Sequence, residues 1–252
     1  MVVPCWRASL GHPLWVNLGW AFLFVGMACV AGCRSTDQVT PPSVPSPLHL
    51  SFRPGDYFAY ATWDLDEFND AIDRTRSKTS WTVADTGRLV RGFSGVTVVI
   101  DSVFRKNARN VDSLARVDSL FLRVTPGGDV LQYGFLATLL KKRENVALPP
   151  QWDRIAAFSL QSGSSWVIGQ GDSAATTVVY GSIATDQEYV GITVNGAQRV
   201  LLAYRVNITK PDMEFIFWIT DLPFGFLRLM DESTEVANGT LQDLTTANEV
   251  GP

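Results

Sequence analysis

From Leu50 onward, short runs of β-branched and aromatic residues are cut by turn-forming residues about every ten positions, a rhythm that leaves little room for helices and points to antiparallel strands. The strongest turn signal is Asn195-Gly196, between Tyr189–Val194 and Arg199–Thr209. Both central residues of a type I′ hairpin turn need positive φ, which Asn and Gly adopt at least cost. Pro126-Gly127-Gly128-Asp129 divides Leu120–Thr125 from Val130–Thr138 in the same manner. Lys210-Pro211-Asp212 turns the chain into Met213–Thr220, and Gly225–Met230 reads as the next strand. Tyr57–Trp63, Val96–Phe104 and Thr176–Tyr180 are further strand runs. In Met213–Thr220 the apolar residues Phe215 to Ile219 are continuous, so both faces of that strand need cover. Helical spacing arises around Glu67–Arg76, where Phe68 and Ile72 are four apart, and near Leu136–Asn145.

The expected fold is therefore all-β and mainly antiparallel, a curved meander or half-barrel sheet with one or two short helices. Phe52-Arg53-Pro54-Gly55-Asp56-Tyr57 and Leu160 to Trp166 share an apolar residue, a Gly three positions on and an aromatic strand start. This hints at two related halves, 50–150 and 151–235, against the alternative of two unrelated β-turns that reuse Gly for steric reasons. Among the 252 residues, 18% are charged and 11% aromatic, which argues against disorder, collagen-like sequence and coiled coil.

The amino terminus is of another kind. Leu14–Val30 is apolar or small except for Asn17, and follows a stretch with Arg7 and no acidic residue, the layout of a secretory signal. It ends in Val30-Ala31-Gly32-Cys33, which resembles the lipobox of bacterial lipoproteins. That resemblance implies that Val30, Ala31 and Gly32 are recognised by the signal peptidase and that Cys33 carries the lipid. The alternative is a transmembrane anchor, since Leu14 to Gly32 could just span a hydrocarbon core.

Cleavage before Cys33 removes residues 1–32 and leaves 220 residues of net charge −5, because Arg7 is the only charged residue lost. Cys5, Cys29 and His12 leave with the signal, so no disulfide can form within the mature chain and only His49 remains to supply an imidazole. Residues 33–49 form a tether with four prolines between Pro41 and Pro47, an extended stalk without a core of its own. Arg34 stands where an Asp would favour inner-membrane retention under the enterobacterial sorting rule. The expectation is outer-membrane delivery with the domain facing the periplasm, and a globular β domain over 50–252.

Residues suited to catalysis are scarce. Histidine triads and zinc sites need several imidazoles or thiolates, which the mature chain lacks. Gly92-Phe93-Ser94-Gly95 and Gly163-Ser164-Ser165-Trp166 do not complete a Gly-x-Ser-x-Gly elbow and read as turns. Gly169-Gln170-Gly171-Asp172-Ser173-Ala174 has the outline of a dinucleotide loop, but the residues after it are strand-like where a helix must begin. Asp64, Asp66, Glu67, Asp70 and Asp73 lack the spacing of a calcium loop and read as a solvated acidic segment. Lys141-Lys142-Arg143 reads as a solvated basic face, and a pI near 5.2 speaks against nucleic acid as a partner. No cofactor, metal or catalytic residue is expected.

The order Gly163-x-x-Trp166, Val194 and Gly196, Ala203 to Val206, Phe217 to Ile219 and Pro223 to Arg228 is similar to a class of bacterial envelope lipoproteins without assigned activity. The resemblance covers the second half well, and the first half only through Gly128-Asp129-Val130 and Tyr133-Gly134. It implies a curved half-barrel of the lipoprotein-carrier type whose concave face can hold acyl chains. Trp63, Trp81, Trp152, Trp166 and Trp218 could line such a face, although aromatics of this kind are more often core. The expected function is noncatalytic binding of an apolar or lipid ligand by a membrane-anchored module. A scaffold that docks another envelope protein is the alternative, and a carboxylate-based hydrolase is the third reading.

Overall fold

The computed structural model describes residues 48–145, 147–169, 178–210, 213–232 and 239–248. Six strands lead from the middle of one sheet to its first edge: β1 (Tyr57–Asp64), β2 (Ser77–Val90), β3 (Phe93–Lys106), β4 (Asp112–Val124), β5 (Val130–Tyr133) and β6 (Trp152–Ala156). Seven more return from the other edge: β7 (Ser165–Gly169), β8 (Val179–Ile183), β9 (Glu188–Val194), β10 (Ala197–Lys210), β11 (Met213–Ile219), β12 (Phe226–Asp231) and β13 (Thr240–Ala247). The last strand pairs with the first, so the order runs β6-β5-β4-β3-β2-β1-β13-β12-β11-β10-β8-β7, with β9 paired to β10. All the pairings are antiparallel. The result is the curved, all-β meander expected, open along a seam between β6 and β7.

The turn chemistry fixes these registers. Asn195 and Gly196 have φ of 51° and 78°, and they join β9 to β10 as the sequence requires. The side chain of Asn195 then ties the hairpin tip to the end of β13, donating from Nδ2 to the Ala247 carbonyl at 3.0 Å. The two turns that look alike in sequence also share their hydrogen bonds. Gly55 N–H donates to Val83 O and Val83 N–H to Asp56 O, while Gly163 N–H donates to Ile183 O and Ile183 N–H to Ser164 O.

Two of the sequence expectations are corrected. The run Val130–Thr138 is a strand only to Tyr133, after which α1 (Phe135–Glu144) takes over within a residue or so of the helical segment expected at Leu136–Asn145. Glu67–Arg76 does not form an α-helix; a single 3-10 turn spans Asp73–Thr75. Its competitor is Asp66, whose carboxylate accepts the N–H groups of Phe68 and Asp70 at 2.9 Å each and closes a local turn, which side chains of this type do at the expense of helix. The acidic segment is thus organised around its own backbone, and Phe68 stands 76% exposed.

The sheet curls around α1. Phe135, Leu136, Leu139 and Leu140 of the helix are buried against Val206, Ile208, Phe217 and Phe226 of the sheet. The helix has Gly134 at its N-cap, with no side chain of its own to cap it. Asp153 of β6 caps it from a distance, its Oδ2 accepting the Leu136 N–H at 2.8 Å. Burial pushes the Asp153 carboxyl up, partly offset by that bond to Leu136. Asp153→Ala is expected to cost about 1–3 kcal/mol, the penalty for orphaning buried donors at a helix start, and Asp153→Asn clearly less. Urea denaturation of both variants measures the difference.

One pole of the curled sheet is closed by protein. Val190, Ile192 and Val194 of β9 and Ala203 of β10 pack with Phe58, Leu227, Leu244 and Ala247. Leu48 and Leu50 enter at the same pole, where His49 N–H donates to Asp221 Oδ1 at 2.7 Å and Leu222 N–H donates to His49 O.

Candidate functional site

Strand alternation directs one set of side chains into the curl. The cross-strand partners Trp81 and Asp101, Thr79 and Val103, and Val103 and Arg116 share the inner face of β2, β3 and β4. Between this face, α1 and the inner faces of β11 to β13 lies a chamber of about 210 Å³. Trp81, Leu120, Leu122, Phe135, Leu139, Ile155, Phe215, Phe217, Phe226 and Leu229 form its apolar wall. Five aromatic rings run along it in contact, Phe135–Phe215 at 5.4 Å, Phe215–Phe217 at 6.1 Å, Phe217–Phe226 at 5.7 Å and Phe226–Trp81 at 5.6 Å between centroids, and Trp81 meets Tyr60 behind the wall at 5.1 Å.

Beside the chamber, at the Asp64 end of β1, lies a vestibule of about 850 Å³. Thr79, Val103, Arg116, Thr138, Lys142 and Gln242 line both spaces, so the two adjoin. The vestibule wall is basic. Arg74, Arg76, Arg105, Lys106, Arg116 and Lys142 line it, against one acidic residue, Asp64.

At the junction Arg116 engages two carboxylates, Asp118 at 2.8 Å and Asp101 at 3.6 Å. Asp101 is buried, and burial pushes its carboxyl up, opposed by the Arg116 charge and a hydrogen bond from Trp81. A carboxyl whose folded-state pKa is raised contributes stability below its unfolded value, and that contribution fades as pH rises through the folded value. Asp101→Asn should therefore gain stability on wild type as pH rises from about 4 toward neutrality. Parallel urea titrations at several pH values read the difference, and a pH-independent gap would refute the assignment. Lys142 is held by an ion pair to Asp231 at 2.8 Å.

No protein-family model, no curated protein and no solved structure matches the chain. The site must be read from its own chemistry. Among the described residues no group of three His, Cys, Asp or Glu could hold a metal. The chamber offers apolar surface, a slim volume and a charged rim, which suits holding a ligand.

The candidate residues read from the sequence fall in different places. Cys33, with Val30, Ala31 and Gly32, lies outside the described residues, as does most of Gly169–Ala174 and the start of Thr176–Tyr180. Among the described residues no helix is long and apolar enough to cross a membrane. Gly92 and Gly163 occupy turns, with φ of 84° and 78°. Of the five tryptophans, only Trp81 lines the chamber. Trp166 bridges the seam by donating to the Arg154 carbonyl at 2.7 Å, Trp218 donates to Glu188 at 2.8 Å, Trp152 meets Phe93 edge-on and Tyr133 at a tilt, and Trp63 lies under Arg76. Lys142, read from sequence as part of a solvated basic face, lines the chamber. The vestibule arginines leave no sequence signal, because they come from separate segments.

Proposed function

We propose that the protein is a lipid-anchored cell-envelope lipoprotein whose β domain binds an apolar or lipid ligand without transforming it. The observation that carries the binding reading is the apolar chamber between α1 and the sheet, walled by aromatic and aliphatic side chains and adjoining the vestibule. Its volume of about 210 Å³ is below the range of about 300–1,000 Å³ common for drug-sized ligands, which favours a slim occupant such as an acyl chain. Anchoring rests on Val30-Ala31-Gly32-Cys33, and Arg34 supports the outer membrane with the domain in the periplasm.

Organic extraction of the purified protein followed by mass spectrometry tests the binding reading. A stoichiometric acyl-chain species is expected, and Leu139→Trp, which fills the chamber, should lose it. A clean extract from well-folded wild-type protein would contradict the reading. For the anchor, Cys33→Ser should abolish metabolic labelling with a fatty acid, and continued labelling of that variant would overturn it.

Docking to another envelope protein is the second reading. It draws on the outer face of the β9–β10 hairpin, where Tyr189, Val200 and Leu202 are 78%, 70% and 41% exposed and Tyr189 and Leu202 are directly opposed.

A further inference from the structure

The apolar chamber explains half of an amphiphile, and the vestibule above it has the chemistry for the other half. We infer that the ligand is a single-chain anionic amphiphile whose carboxylate or phosphate head lies among Arg74, Arg105 and Arg116 while its chain descends past Trp81 and Phe217. The inference rests on the lipid-binding reading and deepens it by naming the head group.

The chain as a whole is acidic, with a net charge of −4, yet six basic side chains and one acidic one line the vestibule. A concentration of cations in a concave site against an acidic background focuses the field on that site. Part of the charge is already paired: Lys106 with Asp112 at 3.2 Å, Lys142 with Asp231, and Arg116 with Asp118 and Asp101. Arg76 lies over the Trp63 ring at 5.5 Å. Among the described residues, Arg74 and Arg105 have no ion-pair partner, and both are exposed at the rim.

The three arginines converge from separate elements. Arg74 sits in the 3-10 turn before β2, Arg105 near the end of β3, and Arg116 on β4. Arg116 is the one shared by vestibule and chamber, so it stands where a head group meets its chain. Guanidinium groups bind carboxylate and phosphate oxygens in forked, charge-assisted hydrogen bonds. A neutral head such as an alcohol would leave them unmatched.

Photo-cross-linking on the full-length protein in membranes tests this and separates it from the lipid-binding reading. The probes are dodecanoic acid and dodecanol, each with a diazirine near the chain end, and labelled peptides are mapped by mass spectrometry. Unlabelled dodecanoate, dodecyl phosphate and dodecanol serve as competitors. The expected result is labelling of α1 and β11 peptides by both probes, with the better anionic competitor acting at least about tenfold below dodecanol. The preference should shrink in high salt. Whichever anion competes better identifies the head as carboxylate or phosphate. The triple variant Arg74→Gln/Arg105→Gln/Arg116→Gln should bring the anions to the level of dodecanol while dodecanol labelling persists, which also shows that the variant is folded. Equal competition by all three compounds in the wild-type protein would overturn the head-group inference and leave lipid binding standing. Absence of chamber labelling by either probe would overturn both.

Discussion

Phe217→Ala is expected to lower the unfolding free energy by about 3–5 kcal/mol, the range for removing a fully buried aromatic ring. Phe217 is 1% exposed and sits in the middle of the aromatic row, touching Phe215 on its own strand and Phe226 on the next. Removing its ring therefore breaks two edge or tilted ring contacts as well as the burial of the ring itself. The same side chain lines the chamber, so the variant also widens the space under the vestibule. Denaturation with and without a bulky acyl ligand separates the two effects. A loss under about 1 kcal/mol would mean that the ring is not part of a packed wall.

Gly181→Ala has the second large effect, for the opposite reason. Gly181 lies directly across from Trp166 in the β7–β8 pair, and the indole covers the space where a side chain would stand. A Cβ there would fall 2.3 Å from Cε2 of the ring, a distance that forces movement. Trp166 cannot swing away freely, because it is 8% exposed and its Nε1–H is bonded to the Arg154 carbonyl across the seam. The expected cost is about 1–3 kcal/mol, typical of overpacking in a well-packed site. In a Trp166→Leu background the added cost of Gly181→Ala should shrink, since the clash goes with the ring. A neutral Gly181→Ala would show that the indole is mobile and that the seam is held by other contacts.

Much of the fold is legible in the sequence because turn residues and strand periodicity act locally. Asn195-Gly196 marks one hairpin, and the strands from Tyr189 to Met230 are placed within about two residues. Several strands lack a clear signature because their pattern is polar. β2, Ser77–Val90, carries Ser, Lys, Thr, Asp and Arg, and only Trp81 and Val83 mark its inner face. β13, Thr240–Ala247, is equally polar, yet it supplies the first-to-last pairing that curls the sheet. Its long-range partner is β1, which no local signal identifies. The first half of β4, Asp112–Val117, is silent for a related reason, since it is exposed on both faces.

The candidate site is less legible than the fold. Its apolar wall draws on α1 and on strands from β2 to β12, and each residue alone reads as core. The basic rim is harder still, because Arg74, Arg105 and Arg116 belong to no run and have no common spacing. Lys142 stands in a visible run, but only the inward packing of α1 against the sheet shows that it belongs to the chamber. Charge clusters formed by sheet curvature leave no one-dimensional trace.

The proposed acyl chain inside the curled sheet is open to direct observation. Intermolecular NOE measurement between uniformly labelled dodecanoate and the isotopically labelled protein tests it most directly. The expected contacts run from the chain-end protons to the rings of Trp81 and Phe217 and the methyls of Leu139, all on the chamber wall. Contacts confined to Tyr189, Val200 and Leu202 on the outer hairpin, or none at all, would contradict it.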